Sequence, residues 1–152
     1  MPVKSAKPVP ASLYEQDVAL WAVETARLLR ERRFEEIDIE NLAEEVEALA
    51  RSDKRELRSR LRVLIQHLLK WKWQPEKRSP GWRGTIRSQR NELSDLFQQS
   101  PSLQGAVSEA VEEVYASAVG NASDDSGLPE QTFPERCPWS AEQILSVAFF
   151  PD

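Results

Sequence analysis

One row of residues limits this chain more than any other feature. Leu42, Val46, Leu49, Asp53, Leu57, Leu61, Leu64, Leu68 and Trp71 follow one another at intervals of four and three. Only an α-helix keeps such a row on one face. Asp38 suits an N-cap before it, and Glu40 lies in the first turn, where the helix dipole favours an anion. Pro75 forbids continuation. Roughly 36 residues at 1.5 Å each give a rod of about 54 Å, so the rest of a small protein must pack along it. Asp53 interrupts the apolar seam, and Arg51-Ser52-Asp53 is where a bend would fall. No proline or glycine stands there, so the spacing predicts a continuous helix over 38–74.

The remaining helices follow from the same period. Ser12-Leu13-Tyr14-Glu15 has capping-box spacing, and Tyr14, Val18, Trp21, Thr25 and Leu28 share one face, which predicts a helix over 12–33. Ser79-Pro80 pairs an N-cap with an N1 proline ahead of Trp82, Ile86, Gln89, Leu93 and Leu96, predicting 79–99. Ser100-Pro101 repeats that start, and Leu103, Val107, Val111, Val114 and Ala118 predict 101–121, fading at Gly120-Asn121. Residues 123–139 read as loop, and Ser140 to Gln143 is a second capping box opening a short helix over 140–148. No alternating strand pattern occurs. The expected fold is all-α: a four-helix up-and-down bundle with a long second helix and a C-terminal loop plus short helix. A disordered tail is expected over 1–11 and a single helical-bundle domain over 12–152. The core should hold Trp21, Leu42, Val46, Leu57, Leu61, Leu64, Leu68, Trp82, Ile86, Leu93, Val107, Val111 and Val114.

Composition narrows the function classes. The chain has 152 residues, of which 40% are hydrophobic and 30% charged, as in an ordinary folded domain rather than a disordered one. One cysteine and one histidine exclude an internal disulfide and a Cys/His zinc cluster. No run of 18 apolar residues is present and the proline-rich start lacks the apolar stretch of a secretory signal, so a cytoplasmic protein that spans no membrane is expected. The net charge of −5 hides segregation. Residues 15–50 carry four arginines against eleven acids, and residues 51–90 carry thirteen Lys/Arg against three acids. Residues 91–152 carry one arginine against eleven acids. The basic block reads either as internal neutralisation against acidic neighbours or as a phosphate or nucleic-acid surface.

Candidate sites come from the predicted turn near 75–79. It makes the second and third helices antiparallel, so facing residues sum to about 154. Trp71 then opposes Arg83, His67 opposes Arg87, and Leu64 opposes Arg90. Arg83, Arg87 and Arg90 form one stripe, level with His67, Lys70, Trp71 and Trp82. Guanidinium forks beside aromatic planes suit a phosphate, a carboxylate or a stacked ring. Equally, the tryptophans can be core and the arginines can pair with acids of the first and fourth helices. His67 among cations is expected to stay neutral. The polar pair Glu44 and Glu45 faces the first helix across the 34–38 turn, with Glu45 opposite Arg27. Glu40, Glu44 and Glu47 share a helical face but lack a histidine, and no metal is expected. Cys137 and His67 are the one Cys/His pair, and nothing in the spacing brings them together. No Gly-rich phosphate loop or serine nucleophile elbow is present, and no cofactor is expected.

Several strings resemble a cyanobacteria-rich family, domain of unknown function 29. They are Tyr14-Glu15-Gln16-Asp17 with Trp21, Leu42-Ala43-Glu44-Glu45, His67-Leu68-Leu69-Lys70-Trp71 and Trp82 to Arg90. Ser100-Pro101-Ser102-Leu103 and Phe133-Pro134-Glu135-Arg136-Cys137-Pro138 complete the order, from about residue 13 to nearly the end of the chain. The resemblance implies a helical bundle and assigns no activity.

Two functions from different classes lead, with a carboxylate metal enzyme on Glu40, Glu44 and Glu47 as a third reading behind them. One is a non-enzymatic module that binds a partner protein, supported by five tryptophans and segregated charge. The other is phosphate or nucleic-acid binding at residues 67–90, with hydrolysis as an extension of it. A homo-oligomer is compatible with either, and the residues leave enzymatic activity open.

Overall fold

A computed structural model describes residues 12–152; the expected tail over 1–11 lies outside the described residues. All regular structure among them is helical. The helices are α1 (Leu13–Gln16), α2 (Val18–Arg30), α3 (Ile39–Trp73), α4 (Pro80–Gln99), α5 (Val107–Ser126) and α6 (Ala141–Leu145). The all-α expectation and the long second rod are met. Two compact units divide the chain, one ending at Ala50 and one beginning at Arg51.

In the first unit the single helix expected over 12–33 is two. Ser12 caps α1 by accepting from the Glu15 amide. Asp17 is extended (φ −156°, ψ 95°), and its carboxylate accepts from the Leu20 amide at 2.9 Å. A short acidic side chain that can satisfy a free amide favours such a fresh N-cap over continuing the helix. Trp21, Thr25 and Leu28 form the buried face of α2, and Ile37 is buried in the turn that follows. The Tyr14 ring meets Trp21 edge-on at 4.9 Å. Asp38 caps the start of α3, accepting from the amide and side chain of Asn41.

The second unit holds the large core. Leu57, Leu61, Leu64, Ile65, Leu68 and Leu69 of α3 are buried with Ile86 and Leu93 of α4 and with Val107, Val111, Val114 and Ala118 of α5. The antiparallel register of α3 and α4 is as the turn predicts. Asp53 accepts from Ser100 Oγ at 2.6 Å, and Arg60 lies 3.5 Å from Glu92. Asp53 therefore interrupts the seam without breaking the helix, because its carboxylate has a partner.

The same bond changes how the fourth helix begins. The Ser100 hydroxyl is turned to Asp53 and caps nothing; Pro101–Ala106 forms a 3₁₀ segment, and the α-helix starts at Val107. Its end also differs from expectation. The helix passes through Gly120-Asn121 and stops at Gly127, whose φ of 73° is the left-handed cap position. A mid-helix glycine costs about 1 kcal/mol, which burial of Ala118, Val119 and Ala122 around it offsets. Asp124 and Asp125 are therefore helical rather than loop. The second capping box is formed as expected: Ser140 accepts from the Gln143 amide and the Gln143 side chain from the Ser140 amide.

Three expected core residues are corrected. Leu42 and Trp82 are only half-buried, and Val46 is 57% exposed. Leu49, on the same seam, is 69% exposed. The seam is covered from Leu57 onward, where α4 and α5 lie against it, and left open before that.

Candidate functional site

The stripe of candidate residues resolves into two environments within the second unit. His67 and Lys70 belong to the first. Lys70 is buried, with its ammonium 3.1 Å from Asp125 Oδ2 and 4.8 Å from the Trp82 ring centre. Gln66 donates to the same Asp125 oxygen at 2.6 Å. Burial pushes the Asp125 carboxyl up, but the Lys70 and Gln66 hydrogen bonds outweigh it and hold the group below its ordinary value. His67 Nδ1 lies 2.8 Å from the Val63 carbonyl, and burial pushes the imidazole pKa down, with Lys70 adding to the effect. Neutral His67 is as expected, though desolvation rather than the cation cluster is the main cause. The helical extension that carries Asp125 is what the sequence reading missed here.

Trp71, Arg83, Arg87 and Arg90 form the second environment. Arg83 stacks over Trp71 at 5.2 Å, the pairing expected from the turn. Arg78 also covers Trp71 at 5.0 Å, while its Nε donates to the Trp71 carbonyl. Arg83, Arg87 and Arg90 line a cavity of about 120 Å³ with Val147 and Phe150. Phe150 stacks on Trp71 at 4.9 Å, and its ring centre lies 4.7 Å from Arg83 and 5.5 Å from Arg90. None of the three arginines forms an ion pair among the described residues, so the acids expected from the first and fourth helices do not meet them. Arg90 is 4% exposed; its Nε donates to the Ile144 carbonyl at 2.8 Å, and its Nη2 is buried without a hydrogen-bond partner. Burial alone pulls its pKa down to about 10. His67 and Arg87, expected to face each other, therefore sit in different surroundings.

Other candidates take structural places. Glu45 accepts from Tyr14 Oη at 2.6 Å rather than meeting Arg27, which pairs with Glu24 and Glu31 of its own segment. Cys137 lies in the C-terminal segment, its Sγ 3.6 Å from the Trp139 carbonyl, and burial raises its thiol pKa. A half-buried thiol held protonated is a poor nucleophile. Among the described residues no group of three His, Cys, Asp or Glu converges as a metal site. No described helix is long and apolar enough to cross a membrane. Part of the basic block is internally paired, Arg58 with Glu113, Arg60 with Glu56 and Glu92, and Lys70 with Asp125.

The tryptophans are packing groups. Trp21, Trp71 and Trp139 are buried, and Trp73 packs against Phe133 and Trp139. Exposed large apolar residues lie elsewhere: Val18, Leu20, Val23, Leu29, Phe34, Ile39, Val46 and Leu49 in the first unit, with Val147 alone in the second.

Fold and geometry define a helical protein with an open apolar seam in its first unit and an arginine-lined cavity in its second. Residues 13–150 match the family model described as Domain of unknown function DUF29, and the chain belongs to that family. None of the curated proteins and none of the solved structures matches it.

Proposed function

We propose that this protein is a non-enzymatic module that docks a partner protein through its first unit, the partner segment being a basic amphipathic helix. The observation that carries this reading is the concentration of exposed aliphatic side chains between Val18 and Leu49. Exposed apolar groups grouped in one small region mark interaction surfaces, whereas single ones do not. Charge supports the class of partner: residues 15–50 carry eleven acids against four arginines, so a cationic helix gains steering and rim contacts while an acidic one is repelled. The same imbalance disfavours a second copy of this unit as the occupant. A reducing compartment fits the single sheltered cysteine.

The test uses the intact protein and a fluorescent synthetic helix of leucine and lysine at amphipathic spacing. Saturable anisotropy is expected for it and not for a leucine–glutamate helix, with affinity falling as salt rises. A Val46→Ser, Leu49→Ser double variant should lose most of the signal while keeping its fold by circular dichroism. Equal binding by the variant overturns the reading. Concentration-dependent dimerisation that the same double variant abolishes also overturns it, in favour of self-association.

A further inference from the structure

We propose that the cavity lined by Arg83, Arg87 and Arg90 beneath Phe150 binds a phosphate dianion, free or as the terminal phosphomonoester of a small metabolite. The site belongs to the second unit and stands on different observations from those behind the docking surface. Arg83, Arg87 and Arg90 all line this cavity of about 120 Å³, and none of them forms an ion pair with a carboxylate of the described residues. Like charges at such range repel, and the repulsion is greatest where water is excluded. Arg90 is nine-tenths buried and more, and an ion in that position normally has a charged or fully hydrogen-bonded partner. Its Nε is engaged by the Ile144 carbonyl, which fixes the direction of the fork. Its Nη2 is left without an acceptor, and a buried N–H donor without an acceptor is a cost that folded chains rarely carry.

An anion in the cavity compensates the three like charges that line it. The choice among anions follows from geometry and size. A tetrahedral oxyanion offers acceptor oxygens in several directions, matching guanidiniums that approach from Arg83, Arg87 and Arg90, whereas a carboxylate presents two oxygens in one plane. The volume admits a phosphate group. Phe150 lies against both Arg83 and Arg90 and keeps water from that side, which strengthens the attraction to a dianion. Val147 completes the apolar side of the cavity, so the site grips the charged end of a ligand and leaves its remainder outside.

Thermal unfolding of the full chain in chloride, acetate or inorganic phosphate at equal ionic strength tests this. Phosphate should raise the melting temperature saturably by about 3–8 °C, and acetate should not. Glycerol 3-phosphate should act like phosphate if the ligand is a monoester; a response to inorganic phosphate alone supports the free ion. Arg83 and Arg87 are exposed, so Arg83→Gln and Arg87→Gln should fold. In chloride they should melt at the wild-type temperature or above it, since repulsion is thinned, and each should weaken phosphate binding by about tenfold. Arg90→Met should abolish binding; if it fails to fold, the two glutamine variants still decide. Equal melting in phosphate and chloride overturns the proposal, as does a phosphate shift that persists unchanged in both glutamine variants. Binding of a single-stranded oligonucleotide without any response to inorganic phosphate also overturns it, and assigns the arginines to a nucleic-acid backbone.

Discussion

Residues 12–50 and 51–152 are built from the same kind of helix and reach opposite states of completion. Beyond Arg51, twenty-three apolar residues are buried in one cluster. Before it, Trp21, Leu28 and Ile37 are the buried apolar residues, and eight large ones are exposed. Helix α3 belongs to both regions, and its seam does not change character between them: Leu42, Val46 and Leu49 are as apolar as Leu57, Leu61 and Leu64. Amphipathic periodicity fixes which side chains share a face, and burial depends on whether another helix arrives to cover it. In the second region α4 and α5 arrive. In the first, Val46 and Leu49 stay exposed.

Several measurements break or sharpen that contrast. The largest effect is expected at Leu64 and Leu68, fully buried in the second region. Leu64→Ala or Leu68→Ala should cost about 2–5 kcal/mol in urea unfolding. A loss below about 1 kcal/mol at both positions would mean that this core is far looser than its burial implies.

Next comes the ion pair at the edge of that core. Asp125→Asn leaves the buried Lys70 ammonium without a counter-charge, while Gln66 retains an amide acceptor. The Asp125 side chain is 44% exposed, so the cost should be about 1–2 kcal/mol, less than for a wholly buried pair. No measurable change would show that water already compensates Lys70.

A smaller effect is expected from pH. The folded state holds the His67 pKa below its ordinary value, so the unfolded chain takes up the proton more readily. His67 therefore costs nothing well above about pH 6.5, and stability should decline as the pH falls from there through the lowered folded pKa. His67→Gln should flatten the decline that sets in as the pH falls below about 6.5. Asp125, with its pKa lowered, loses its contribution only in the more acidic carboxylate range, so the two windows separate. A curve unaltered by the substitution would place His67 in solvent.

The smallest change should come from the open seam. Val46→Ala and Leu49→Ala should each lie within about 0.5 kcal/mol of the parent. A cost near that of the Leu64 substitution would show that the first region is covered in solution, and the contrast between the regions would fail.

Local patterns made much of the fold legible. The intervals of four and three, the caps at Ser12, Ser79 and Ser140, and the stop at Pro75 each act within one or two helical turns. The turn length also set the antiparallel register that brings Arg83 over Trp71 and Asp53 to Ser100. Where the reading departed from the structure, a distant side chain had intervened or a local alternative had won. Ser100 gave its hydroxyl to Asp53 instead of capping, and Asp17 started a new helix inside a periodic run.

The candidate site shows the same division more sharply. Arg83, Arg87 and Arg90 stand out as a stripe from their spacing alone. Their lack of acidic partners, the roof of Phe150 and the orphaned Nη2 of Arg90 depend on residues 54 to 67 positions away in the chain. His67 was assigned to the same group because helical spacing gives the level of a side chain along the axis. It says nothing of which neighbouring helix that side chain meets, and the continuation of α5 to Asp125 decided this. Sequence by itself thus determined the helices, the long rod and the register across its turn, because hydrogen bonds and side-chain periods within a helix are short-range. Tertiary structure decided which half of the seam is covered, where the arginines point and what closes over them, because burial and charge compensation are properties of the surrounding fold.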